Sequence, residues 1–162
     1  MQFSCRTVDL AFLDSAPIQF VNEVEINASP ERVFEIFEDG DSWPKWFRDI
    51  VKVEWTSSKP FGVGTTRTVT LKTMTVYEKF IAWDPGKRFT FYFTATSLPI
   101  AHAFCEDYQL EALGNGRTKF TYIVAFEPRL LIKMSGPIGR WIFGNMFRTG
   151  AQSLSTFMQN ID

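Results

Sequence analysis

Arg67, Glu78 and Glu106 sit on the same side of their segments as Val69, Val76, Phe80, Phe104 and Tyr108, where the alternation otherwise places large apolar side chains. A charge on such a face costs free energy unless it is paired or hydrated. A carboxyl group among apolar neighbours also has its pKa raised, which suits it to pass protons near neutral pH. His102 and Tyr108 share the segment of Glu106 and add two groups able to hold or transfer a proton. Two readings stay open. These residues contact the polar end of a ligand or hold water in a cavity, or Arg67 and Glu78 form a structural ion pair while the others sit near an open rim. A lone histidine without a partnered Asp or Cys is weak ground for catalysis, and the rim reading suits His102 better. The spacing assigns no catalytic residue, and whether the chain is an enzyme stays open.

The elements that must position these groups are short strands between helical ends. Ile18–Asn27 alternates, with Phe20, Val24 and Ile26 on one face. Ser29, Pro30 and Glu31 then mark a helix start, and Val33 to Asp39 continues it to Gly40. A second short helical piece begins near Asp41 and ends near Phe47. Six strands follow, over 50–56, 65–71, 74–83, 88–96, 102–113 and 117–127, and the first of them presents Val51, Val53 and Trp55 on one face. A loop over 128–135 leads to one amphipathic helix from Gly136 to Asp162, with Phe143, Phe147, Leu154, Phe157, Met158 and Ile161 on its stripe and Gly150 among them. Strands grouped between helical ends make an α+β layout rather than alternating parallel units. Residues 1–17 read as an N-terminal extension and 18–162 as a single domain.

Hairpin register decides which side chains face inward. A three-residue Gly114-Asn115-Gly116 loop pairs Leu110 with Phe120, Tyr108 with Tyr122, Glu106 with Val124 and Phe104 with Phe126. It leaves Cys105, Asp107, Gln109, Lys119 and Thr121 on a mostly polar opposite face, whereas a two-residue Asn-Gly turn mixes the faces. A four-residue Asp84–Lys87 loop pairs Ala82 with Phe89, Phe80 with Phe91 and Glu78 with Phe93. A two-residue Lys72-Thr73 turn pairs Val69 with Val76 and sets Arg67 opposite Glu78. The inward wall is then Phe80, Phe89, Phe91 and Phe93, faced by Phe104, Tyr108, Tyr122 and Phe126, with Phe147 from the terminal helix. Arg67, Glu78, Glu106 and His102 are its polar members.

Composition narrows the function. Phe supplies 17 of 162 residues, which suits an apolar pocket as well as a bulky core. The net charge is −1, from 17 basic and 18 acidic residues, with no basic tract longer than a pair. That balance argues against capture of nucleic acid. Cys5 and Cys105 lie far apart, giving neither a zinc spacing nor a disulfide framework, so no metal and no cofactor is expected and a reduced, cytoplasmic setting fits. No signal peptide and no membrane-spanning run is present, so stable membrane insertion is not expected. Glycine-rich phosphate loops, HExxH and GxSxG are likewise missing.

The segment INASPERVFEIFEDGDSWPKWFRDIVKVEW resembles the opening of the SRPBCC superfamily, the helix-grip group that includes lipid-transfer START domains, the birch-pollen allergen family and polyketide cyclase/dehydrase-like proteins. Gly62-Val63-Gly64 before a strand, Asp84-Pro85-Gly86 at the middle turn, Gly116-Arg117-Thr118 before the last strand and the long terminal helix carry the resemblance over residues 18–161. It implies a helix-grip fold: a seven-stranded antiparallel sheet wrapped around the C-terminal helix, with two short helices after the first strand and a deep hydrophobic cavity. It also implies members that bind lipids, sterols or polyketides, some of them cyclases or dehydratases, and no catalytic residue common to all.

Three function classes follow as expectations. The first is binding of a small hydrophobic molecule, for storage, transport or sensing, by a monomer or homodimer, with the 61–64 loop and residues 129–136 as the lid. The second is a polyketide aromatase/cyclase or dehydratase using Glu106, Glu78, His102 or Tyr108. The third is an interaction surface, either a protein-binding module on the same fold or the apolar stretch Leu130–Phe147, with Lys133, Arg140 and Arg148 at intervals, touching a bilayer.

Overall fold

The computed structural model describes residues 1–161, and two strands adjacent in the chain, β2 (Ile18–Ile26) and β3 (Ile50–Trp55), lie at opposite edges of its sheet. The antiparallel order runs β2, β8 (Arg117–Pro128), β7 (Ala101–Gly114), β6 (Arg88–Thr96), β5 (Thr75–Asp84), β4 (Thr66–Leu71), β3. The link between β2 and β3 must therefore cross one face of the sheet. It does so as α2 (Pro30–Glu38), a 3-10 turn at Gly40–Ser42 and α3 (Trp43–Trp46). The Ser29 hydroxyl caps α2 by accepting from the Arg32 amide at 3.2 Å, with Pro30 in the first turn. The Trp43 indole donates to the Phe37 carbonyl at 3.0 Å, which fixes the turn between the helices. A helix α4 (Leu130–Met134) and the 25-residue α5 (Gly136–Asn160), about 37 Å long at 1.5 Å per residue, close the same face. The architecture is α+β and helix-grip. The 128–135 stretch expected to be a loop holds α4, and the end of the terminal helix at Asp162 lies outside the described residues.

Most of the expected register is present. Arg67 faces Glu78 and Val69 faces Val76, while Glu78 faces Phe93 and Phe80 faces Phe91. Tyr108 faces Tyr122, and Phe104 faces Phe126. The departures are bulges, each an extra residue that re-aims its neighbours. One between Ile50 and Lys52 turns Ile50 and Val53 inward and leaves Val51, expected inside, 55% exposed. One between Phe80 and Ala82 shortens the middle loop, so Phe89 pairs with Trp83 rather than with Ala82. Trp83 then turns into the core, 4.8 Å from Phe80 and 5.0 Å from Phe89 between ring centroids. At the last hairpin, Gly114 pairs with Arg117, so Asn115-Gly116 is a two-residue turn after all. Gly114, Asn115 and Gly116 all take positive φ there, and a bulge between Ala112 and Gly114 restores the predicted pairing.

The N-terminal extension is built into the sheet. Pairing of β6 with β7 ends at Tyr92 and Cys105, and β1 (Phe3–Ser4) enters the gap beyond, pairing with Thr96 and Ala95. The Cys5 amide donates to the Thr94 carbonyl at 2.9 Å and the Arg6 amide to the His102 carbonyl at 2.7 Å. Helix α1 (Phe12–Ser15) lays Phe12 and Leu13 over Tyr92, Ala103, Cys105 and Ala125 on the outer face. This face, expected to be mostly polar, is thus partly dry. Asp107 is fully buried in it, accepting from Arg88 at 3.0 Å, Thr90 at 2.6 Å and Gln109 at 2.7 Å. Burial first, and the charge of Asp107 second, push the Cys105 thiol up to about 12.

The division at residue 17 makes a prediction. Removing residues 1–16 also removes Cys5, so Cys105 becomes the one remaining thiol. The truncated chain is expected to keep its far-ultraviolet dichroism, to lose about 3 kcal/mol of stability with the burial of Phe12 and Leu13, and to expose Cys105 to a thiol reagent that the intact protein resists. A truncated chain that fails to fold makes the extension part of the domain.

Candidate functional site

The space between α5 and the sheet is almost full. It holds a cavity of about 40 Å³, walled by Trp43 and Phe47 around α3, by Arg67, Val69, Val76 and Glu78 from β4 and β5, and by Phe143, Met146 and Phe147 of α5. Such a volume admits a few waters, far below the roughly 300–1,000 Å³ of an occupied small-molecule site. The deep hollow expected from the sequence is closed in this conformation by aromatic rings.

At the floor of the cavity the β4–β5 register brings Arg67 against Glu78. Their side chains are 1% and 4% exposed, and the Arg67 Nε donates to Glu78 Oε2. The guanidinium carbon lies 4.5 Å from the Trp43 ring centre, 4.7 Å from Phe91 and 5.2 Å from Phe80. Aromatic faces attract a desolvated cation and replace part of its hydration. Arg67 Nη1 is buried with no hydrogen-bond partner. Burial pushes the Glu78 carboxyl up, and the Arg67 charge draws it back.

Glu106 completes the cluster. Tyr122 and, at 3.5 Å, Tyr108 donate their phenol protons to its Oε1. Burial and the nearby charge of Glu78 push its pKa up to about 8, against the Tyr122 hydrogen bond. It is therefore a neutral acid at pH 7. Burial and the Glu106 charge hold both phenols well above their usual range. One cation, one carboxylate and one carboxylic acid thus meet in an apolar shell.

Of the residues singled out in the sequence, Arg67, Glu78, Phe91, Phe93, Phe104, Glu106, Tyr108 and Phe147 form part of the cavity wall. Phe80, Phe89, Tyr122 and Phe126 are buried one layer behind it and do not line it, although the Tyr122 hydroxyl reaches through to Glu106. His102 is exposed. A bulge between Ala101 and Ala103 turns it off the inward face, which overturns its assignment there. Trp43, Phe47 and Met146 were not anticipated. The first two come from a helical piece too short to show a period, and Met146 lies off the stripe read for α5. Among the described residues no three of His, Cys, Asp and Glu gather as metal ligands.

Residues 17–160 match the sequence profile of the family described as polyketide cyclase / dehydrase and lipid transport. Uncharacterised proteins of Mycobacterium tuberculosis and Mycobacterium bovis are 37% identical over 161 residues, covering 98% of this chain and 91% of theirs. That span includes nearly all of the N-terminal extension. A START superfamily protein from Mycobacterium smegmatis superposes with a TM-score of 0.75 at 13% identity, over 89% of this chain and 99% of that one. The Zhui aromatase/cyclase from Streptomyces sp. R1128 superposes with a TM-score of 0.70 at 14% identity, over 88% and 93%. At such identities the likeness is one of fold.

The raised pKa of Glu106 has a stability consequence of definite sign. Between its unfolded value near 4.5 and its folded value of about 8, the folded state holds a proton that the unfolded state has lost. Stability from this group is complete below the lower value and falls as pH rises, by at most about 1.4 kcal/mol per pH unit. Urea midpoints at pH 5, 7 and 9 are expected to decline, and Glu106→Gln to decline less over the same range.

Proposed function

The chain belongs to the polyketide cyclase / dehydrase and lipid transport family, and on that premise we propose that it binds a small hydrophobic molecule with a hydrogen-bond-accepting end beneath α5. The observation that carries this reading is the unpartnered Arg67 Nη1, buried in an apolar cavity beside a carboxyl group that keeps its own proton. Both groups are donors. A buried donor without an acceptor costs about 1–3 kcal/mol, and a carbonyl or carboxylate oxygen would supply the acceptor. The body of the ligand would displace water from aromatic walls, at about 25 cal/mol per Å² removed from solvent. Admission requires Phe143, Met146 and Phe147 to move outward with α5, since the present 40 Å³ is too small. The setting is taken as cytoplasmic, in keeping with two free cysteines, with the chain acting as a monomer or homodimer and without nucleic acid.

A second reading has one observation in its favour. A carboxylic acid with a pKa of about 8, hydrogen-bonded to two phenols, is equipped to protonate a carbonyl oxygen or a departing hydroxyl, as a cyclisation or dehydration of a polyketide-like substrate requires. On this reading Glu106 is the acid, and Arg67 steadies charge that develops on oxygen.

Replacing the ion pair as a unit, in Arg67→Met with Glu78→Leu, keeps the interior apolar and avoids an orphaned charge. The double variant is expected to retain its unfolding free energy, read from urea titration, within about 2 kcal/mol and to lose at least about tenfold in affinity for a fluorescent fatty acid, worth about 1.4 kcal/mol. Affinity for a pyrene probe without oxygen should persist. Equal loss for both probes removes the role given to Arg67. Turnover of an aromatic polyketide precursor that Glu106→Gln abolishes would favour the second reading instead.

A further inference from the structure

The half of α5 nearest α4 is apolar on both sides. Inward, Phe143, Met146 and Phe147 line the cavity. Outward, Leu130, Leu131 and Met134 of α4 are 70%, 66% and 76% exposed, and Ile138, Trp141 and Ile142 of α5 are 73%, 65% and 57% exposed. The last three are spaced i, i+3, i+4 and share one helix face. The other half of α5 is unlike this. Its outward residues, Arg148, Gln152, Thr156 and Gln159, are polar, as on an ordinary surface helix. Six large apolar side chains are exposed within thirteen residues of two consecutive helices, and such a concentration of exposed apolar surface marks a contact site.

Charge says what kind of contact. Between Glu127 and Asp162 the chain has no acidic residue and four basic ones, although its net charge is −1. Lys133 and Arg140 are exposed among those thirteen residues, and neither makes an ion pair among the described residues. Long basic side chains beside exposed Leu, Ile and Trp suit the boundary of an anionic bilayer. There the apolar tips enter the acyl edge and the cations stay with the headgroups. No helix among the described residues is long and apolar enough to cross a membrane, so the contact would be a lateral one.

A groove on this face borders the cavity wall. A surface groove of about 470 Å³ runs between α4, α5 and the end of β8, lined by Ile132, Lys133, Pro137, Arg140 and Phe143. Phe143 is also a wall of the internal cavity. The groove and the internal cavity thus share the Phe143 ring as a wall.

We infer that the α4–α5 face docks on an anionic lipid bilayer, with the groove beside Phe143 turned toward the lipid. The contact is independent of which ligand the cavity takes, and it is measured with empty vesicles. Wild-type protein is expected to float with vesicles of phosphatidylglycerol and phosphatidylcholine at low salt, and to detach from them as salt rises. It should bind pure phosphatidylcholine vesicles at least about tenfold more weakly. Brominated acyl chains should quench a share of the tryptophan emission that is absent in Trp141→Phe. Lys133→Glu with Arg140→Glu, and separately Ile138→Asp, should each reduce vesicle binding at least about tenfold. Both should leave the urea midpoint unchanged, because the altered side chains are exposed. Protein that stays out of the lipid fraction overturns the inference. So does vesicle binding that survives both sets of substitutions, or a dimer in sedimentation that Ile138→Asp dissolves while wild-type protein ignores the vesicles.

Discussion

A single guanidinium taken out of water sets the terms for the interior. Arg67 is 2% exposed in a shell of aromatic rings, and an isolated cation there would cost several kcal/mol. Glu78, opposite it on the neighbouring strand, offsets that cost, and the faces of Trp43, Phe91 and Phe80 add to it. One positive charge can stabilise one carboxylate at close range. A second carboxyl group in the same shell, Glu106, must then keep its proton, and it does so against hydrogen bonds from two phenols. The chemistry of the cavity follows from that count. It presents donors, from Arg67 Nη1 and from the Glu106 acid, to whatever displaces the rings above it.

The same constraint bears on how the interior can open. The C-terminal part of α5 is held down by Ala151, Leu154 and Met158, all within 1% of full burial. At Gly150 the helix comes so close to the end of α3 that a Cβ would lie 2.8 Å from the Phe47 ring, so any other residue there would have to push that ring aside. Toward its start α5 is far less committed, with Gly139 as its one buried residue before Phe147. A segment with little burial to lose opens at the lowest cost. The part of α5 that covers the cavity is thus also the part whose outer face is apolar and basic.

Strand register was legible to a useful degree because each strand has one dry face and one wetter face. Shifting β7 by one residue would have moved Phe104, Tyr108 and Leu110 out of the core together, and shifting β8 would have done the same to Phe120, Tyr122 and Val124. That is why Arg67 could be set opposite Glu78, and Glu106 placed beside the tyrosines, from alternation alone. What alternation cannot report is where it breaks. The bulges at Ile50–Lys52, Phe80–Ala82 and Ala101–Ala103 each insert one residue without a compositional mark. They moved Val51 and His102 outward and Trp83 inward. The exposure of α4 was equally hidden, since an apolar run reads the same whether it is buried or bare.

From its residues alone this protein could be known as a helix-grip α+β chain with buried charge on an aromatic face. Periodicity, capping and the cost of burying a charge are local properties that a sequence records. Tertiary structure alone decided how much room is left, which rings touch the cavity and which stand behind it, and that residues 1–16 cover the outer face. It also decided that the Glu106 carboxyl is pushed up to about 8, because that depends on the packing that buries it and on the nearby charge of Glu78. Volume, dryness and proximity are sums over residues distant in the chain, and no local pattern contains them.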